Sequence, residues 1–296
     1  SALWGCAAPS AAAPSAQSAA SPAPAAIGGS APLADAPAEE FFFLQLSDTH
    51  WGFSGPPNPE ADKTLRTTVA TINAVPAKPD FIIFTGDLTH TTDDPALRRA
   101  RMREFKAIVS DLVVKDVRYI PGEHDASLDG GEAFKEFFGE THYSFSHKGL
   151  SFIALDNVSA PGAILGDTQL AWLEQQVLAA PKNAPLVVFT HRPLFALFPA
   201  WDWATKDGPK AIEILQKHPR VTVFYGHIHQ EHQQQTGSIM HLAARSLVFP
   251  LPAPGSVPKK APLPWDPQSP DHGLGYREVA RTEQSLELVE HRFAQR

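Results

Sequence analysis

Five short apolar runs recur along the chain, and each leads directly into residues of the kind that hold metal ions. Phe41–Leu46, Phe81–Thr85, Val117–Ile120, 186–190 and Val221–Tyr225 are rich in β-branched and aromatic residues and bounded by turn formers. That pattern predicts strands buried on both faces. The segments between them carry apolar positions three or four apart, predicting helices over 60–73, 95–112, 167–178 and 208–217, with Asp94 and Asp167 as N-caps. Strands alternating with helices imply an α/β layer architecture. Residues 141–146 and 150–156 pattern as a hairpin, and 232–236, 239–242, 276–280 and 286–292 as further antiparallel strands that extend or face the first sheet. Eight prolines in residues 250–270 forbid regular structure there and predict a stiff excursion.

Ligands of α/β folds gather at the carboxyl ends of strands. Here the five runs lead into Asp48-Thr49-His50, Gly86-Asp87, Gly122-Glu123-His124-Asp125, His191 and Gly226-His227-Ile228-His229. Taken singly, each is an ordinary capping Asp or hydrogen-bonded loop His. Together, on one edge, they crowd carboxylates and imidazoles within a few Å, which is costly without a cation to compensate them. Oxygen and nitrogen donors in this number suit two divalent ions, or Fe(III) with a divalent ion, better than one structural zinc. Two ions roughly 4 Å apart hold a hydroxide between them, lower its pKa toward neutrality and neutralise phosphoryl oxygens during in-line attack. The implied chemistry is phosphoryl transfer to water. His124, followed by Asp125, fits an imidazole oriented by a carboxylate, serving as the acid for a leaving alkoxide or as a stabiliser of the equatorial oxygens.

Composition removes competing readings. The 296 residues, 43% hydrophobic, suffice for a substantial core. No run approaches the roughly 18 consecutive apolar residues of a membrane helix. With 25 basic against 32 acidic residues and a net charge of -7, the broad positive surface of a duplex nucleic-acid binder is missing. Cys6 is the only cysteine, so no thiolate zinc site or internal disulfide forms. Residues 1–40 contain 28 Ala, Pro and Ser residues and read as a flexible tether, leaving 41–296 as the folded domain. Within the tether, Leu3-Trp4-Gly5-Cys6 resembles the end of a bacterial lipoprotein signal peptide, where a small residue precedes the acylated cysteine, although Trp4 departs from the usual small residue. The other reading is the remnant of a plain export signal. Both imply an exported protein, periplasmic or anchored on the outer side of a membrane through a lipid at Cys6.

The order DxH, GD, GxHD, H, GHxH, over residues 41 to about 245, resembles the calcineurin-like metallophosphoesterase family. That resemblance implies a four-layer αββα sandwich with mixed β-sheets and two metal ions, Fe, Mn or Zn. It also implies that Asp48, His50, Asp87 and His229 bind one metal, that Asp87 bridges to a second held by His191, His227 and Glu123, and that His124 is the acid or charge stabiliser. Position 123 departs from the family, whose motif has Asn. Glu123 either ligates the second metal, adding one methylene and one negative charge, or turns to solvent and leaves that metal weakly held. His90 stands three residues after Asp87, where purple acid phosphatases of the broader superfamily carry an iron-binding Tyr, so no tyrosinate ligand is expected; His90 is either a loop residue or a hydrogen-bond partner of a ligand.

The seven remaining histidines read as strand or surface residues. Residues 195–203 pack four aromatic side chains, and either roof the pocket or form a satellite hydrophobic cluster. The reading that results is a binuclear-metal hydrolase of small-molecule or lipid phosphate esters. Within that class the alternative is a phosphodiesterase acting on nucleotides or lipid head groups. From another class, the alternative is a non-catalytic module that retains one metal or binds phosphate, against which Asp87, His124 and the GHxH motif argue.

Overall fold

The computed structural model describes the backbone of Ala25–Ile27 and residues 39–283 and 285–293. Cys6 and most of the expected tether lie outside those residues. Two six-stranded sheets face each other. The first has the order β1-β12-β11-β2-β3-β4, in which β2 (Phe41–Leu46), β3 (Phe81–Thr85) and β4 (Val117–Ile120) run parallel, and β11 (Gly275–Arg281) and β12 (Leu286–Arg292) add antiparallel. The second has the order β5-β6-β7-β8-β10-β9. There β6 (Leu150–Ala154), β7 (Leu186–Phe189), β8 (Val221–Tyr225) and β10 (Ile239–Ala243) are parallel, while β5 (Tyr143–His147) and β9 (His232–Thr236) pair antiparallel at the edges.

The continuous apolar runs make sense once both faces of each strand are covered. Along β2, Phe43 points between the sheets while Leu44 and Leu46 pack under helices α1 (Ala61–Ala74) and α2 (Pro95–Val109). In the second sheet, Val187 and Phe189 face inward, and Leu186 and Val188 meet α5 (Asp167–Ala179) and α6 (Gly208–Leu215). The period of two thus sorts residues into three apolar layers, and the architecture is helix, sheet, sheet, helix. Between the sheets, Phe43 stacks on Phe81 at 4.7 Å and meets Phe189 edge-on at 5.7 Å.

Some expectations are corrected. Asp94 caps α2, accepting from the Ala96 and Leu97 N–H groups, but Asp167 is the first residue of α5; the N-cap is Gly166, with φ 82°, and no side chain bonds there. The segments expected as antiparallel at 232–236 and 239–242 do pair so with each other, as β9 and β10, but β10 also runs parallel to β8 in the second sheet. Two helices too short to show periodicity were not foreseen: α3 (Glu123–Ala126), a single turn carrying the motif residues themselves, and α4 (Glu132–Phe138). Within the expected tether, β1 (Ala25–Ile27) pairs antiparallel with Leu286–Leu288, since the outer edge of β12 offers unpaired backbone groups to any extended segment. The excursion 250–270 contains no helix or strand, as its prolines dictate.

Candidate metal centre

Loops after β2, β3 and β4 of the first sheet and after β7 and β8 of the second converge at one end of the sandwich. They bring together Asp48, His50 and His229 in one group, and Asp87, Glu123, His191 and His227 in another, with ligand-capable atoms of each group lying within 4.8 Å of one another. Asp87 lies between the two. Its Oδ2 is 3.4 Å from His50 Nε2 and 3.3 Å from His191 Nε2. Asp48 Oδ1 is 3.3 Å from His229 Nε2, and the Glu123 carboxylate reaches His191 Nε2 at 2.9 Å with one oxygen and His227 Nδ1 at 2.7 Å with the other. Glu123 therefore points into the cluster and not to solvent.

Local backbone geometry creates this convergence. Asp48, His50, Asp87, His227 and His229 all have φ between 43° and 67°, the left-handed region that Asp and His enter more readily than most residues. Holding five residues there costs about 1 to 3 kcal/mol each and is a mark of functional constraint. The glycine before Asp87 is required on two counts. Gly86 has φ 96°, and a Cβ there would lie 2.3 Å from His191 Nδ1. Gly122 is excluded from substitution by proximity alone, since its Cβ would sit 2.1 Å from Asp87 Oδ1.

Backbone carbonyls choose which imidazole nitrogen faces the cluster. His191 Nδ1 donates to Thr85 O at 2.8 Å and His229 Nδ1 to Phe249 O at 2.8 Å, so both present Nε2 inward. His227 is reversed. Its Nε2 donates to Asp202 O at 3.3 Å and its Nδ1 turns to Glu123. His50 Nδ1 meets His90 Nδ1 at 3.3 Å, which makes His90 the partner that orients a ligand-type His. Asp48 is held by Ser47 Oγ at 2.6 Å and by the His227 backbone N–H.

Electrostatics follows from the crowding. Burial alone would raise the Asp48 and Glu123 carboxyls, yet the neighbouring imidazoles outweigh it and leave Asp48 lowered and Glu123 well below the usual carboxylate range. Burial would lower His191, but Asp87 and Glu123 outweigh that and raise it well above an ordinary His. Burial, reinforced by the imidazoles of His124, His229 and His90, drives His50 well down. His50 Nε2, His191 Nε2 and Glu123 Oε2 are buried and none makes a well-aligned hydrogen bond, although the last two lie 2.9 Å apart as an ion pair. Buried polar atoms left this way are costly, and two imidazole nitrogens facing one Asp87 oxygen, with Glu123 Oε2 beside His191, suit cations bound among them. The residues present fit a pair of metal ions.

The roles expected of His124 and Asp125 separate. His124 Nδ1 accepts from the Thr91 N–H at 3.2 Å, so its proton resides on Nε2, and its ring lies 4.5 Å from that of His50 and stacked on His90 at 5.0 Å. Asp125 does not orient it. The Asp125 carboxylate is buried and accepts from the Gly122, Leu88 and Thr89 N–H groups and from Thr89 Oγ1, tying the loop after β4 to the loop after β3; burial and Asp87 push it up to about 6. The expectation that Asp125 acts on the His124 imidazole fails because its one-turn helix aims the carboxylate back at its own N-terminus. The 195–203 segment forms a satellite cluster, with Trp201 and Trp203 packed on Tyr225 and Ile228, and touches the centre through Asp202 O, the partner of His227 Nε2. Sequence reasoning missed Ser47, Asn157, Arg192 and the carbonyls of Thr85, Asp202 and Phe249, none of which carries a motif.

The family profile of the calcineurin-like phosphoesterases matches residues 43–231. Over 213 residues the chain is 29% identical to a probable cyclic nucleotide phosphodiesterase of Rhodococcus erythropolis, a match covering 66% of this chain and 67% of that one. It is 27% identical over 218 residues to the serine/threonine-protein phosphatase CPPED1 of Mus musculus, covering 64% of this chain and 70% of that one. In fold it is similar to a dimetal phosphatase from Danio rerio, with a TM-score of 0.59 and 14% identity, covering 86% of this chain and 100% of that chain.

Proposed function

This chain belongs to the calcineurin-like phosphoesterase family, and from that premise we propose that Asp48, His50, Asp87 and His229 hold one metal ion, and Asp87, Glu123, His191 and His227 a second. The protein is a metal-dependent phosphoesterase. The observation that carries the ligand assignment is the pair of buried imidazole nitrogens, on His50 and His191, that face one Asp87 oxygen without a well-aligned hydrogen bond. Nitrogen and oxygen donors without sulfur suit Fe, Mn or Zn. When bound, the two ions supply Lewis acidity toward the phosphoryl oxygens and acidify a water toward neutrality.

The protein's own groups do the rest. His124, half-buried at the rim, presents Nε2–H, a donor for the leaving oxygen as its bond to phosphorus breaks. His90 and the Thr91 N–H hold that ring in place. Glu123 adds a negative charge that the family's Asn lacks, and repulsion in a poorly solvated site acts more strongly on a dianionic monoester than on a monoanionic diester. Phosphodiesters are therefore the favoured substrates, with phosphomonoesters second.

The test is hydrolysis of a chromogenic monoester and diester before and after chelation, with add-back of Mn, Zn and Fe, alongside metal analysis of Asp87→Asn. Two equivalents in the wild type, and loss of both metal and turnover in the variant, are expected. Two full equivalents and near-normal turnover in Asp87→Asn would overturn the bridging assignment.

A further inference from the structure

We infer that Arg192, acting through the loop at 198–204, is a positioning residue that sets how tightly the second metal is held. The inference rests on the two-metal reading. Arg192 follows His191 directly but its side chain turns away from the cluster, and only 3% of it is exposed. Its guanidinium grips one turn of chain from three directions. Nε donates to Ala204 O at 3.0 Å, one terminal nitrogen donates to Asp202 O, and the same nitrogen pairs with Asp202 Oδ1 at 2.7 Å.

Asp202 O is also the acceptor of His227 Nε2–H. One carbonyl thus joins a buried cation to a metal-ligand imidazole. With Nε2 committed to that carbonyl, His227 presents Nδ1 to Glu123 and the second site. Asp202 has φ 63°, a left-handed conformation that a free loop would relax, and Arg192 bonds its carbonyl and carboxylate together. Other contacts brace the clamp. Asn157 Nδ2 bonds Arg192 O and Thr205 Oγ1, Trp203 is fully buried, and Lys260 of the proline-rich excursion donates to Trp201 O. The aromatic segment and the excursion therefore converge on the orientation of one imidazole.

The first site is braced by other groups: His229 is fixed by Phe249 O, and His50 by His90, whose carbonyl is held by Arg101 at 2.9 Å and not by Arg192. Loss of the clamp should act on one metal only. Affinities are read by competition with a chromophoric chelator, using wild type, Arg192→Met, Arg192→Lys and Asp202→Asn. Arg192→Met is expected to weaken the second equivalent by about 10- to 100-fold and to leave the first unchanged, with saturating metal restoring kcat. Arg192→Lys, which reaches one acceptor but has no fork, should fall between. Asp202→Asn keeps a residue tolerant of positive φ and the carbonyl but loses the ion pair, so a smaller loss at the second site alone is expected, and it serves if Arg192→Met does not fold. A wild type with two equivalents matched by Arg192→Met, or by Asp202→Asn if that variant alone folds, overturns this inference alone. Equal weakening of both sites overturns it too, as the mark of general support. A wild type that takes up one equivalent overturns the two-metal reading together with it.

Discussion

Glu123 and His124 are adjacent in the chain yet do different work, because α3 turns one carboxylate between two imidazoles and leaves the neighbouring ring at the rim. His124→Ala should keep its metal content and lower turnover by about 10² to 10⁴, with the loss shrinking for substrates whose leaving groups need no proton. Steady-state rates across a leaving-group series check this; a uniform loss would assign His124 to the phosphoryl oxygens instead. Glu123→Asn should weaken retention of the second metal and shift the monoester-to-diester ratio toward monoesters. Unchanged stoichiometry and ratio would show that the carboxylate contributes nothing as a ligand. The identities of both residues were legible in the motif. Asp125 was not, because its type suits a partner for His124 and only the turn of α3 aims it at three backbone N–H groups.

Among the elements, β10 carries an unusual burden. His241 on that strand is fully buried beneath Phe195, whose ring lies 5.0 Å away, and neither of its nitrogens has a partner. Burial, with a small contribution from His232, pushes it down to about 4. In the unfolded chain it titrates near 6.5. The unfolded state therefore takes up the proton first, so the stability tied to the neutral ring is complete above about pH 6.5 and is lost as the pH falls toward 4. At pH 5 the loss is roughly 2 kcal/mol. His241→Leu should flatten that dependence, as read by urea unfolding at about pH 5 and about pH 7.5; equal slopes in the two proteins would remove His241 as the source. The strand itself was legible as a short apolar run, but its parallel pairing to β8 was not, since direction depends on where β9 turns back.

At the scale of the whole molecule, the two sheets must keep their register for ligands from both to meet. Arg277 on β11 spans them just beneath the centre. Its guanidinium donates to Gln45 Oε1 at 3.2 Å, to Leu242 O at 3.4 Å and to Ala243 O at 2.8 Å, and pairs with Glu290 at 2.5 Å. Arg277→Met would leave those acceptors unpaired and should destabilise the fold by about 3 to 5 kcal/mol, seen as a lower denaturation midpoint at unchanged m-value. A shift below about 1 kcal/mol would show that aromatic packing between the sheets suffices. By itself the sequence determined the strands from Phe41 onward, the helices of eight residues or more and the donor types after each strand, because period and residue type are local properties of the chain. Tertiary structure alone decided which carbonyl fixes each imidazole, which loop Asp125 ties and what Arg192 holds. Every residue carries a carbonyl, so no residue type marks the ones at Thr85, Asp202 and Phe249; the approach of distant segments selects them.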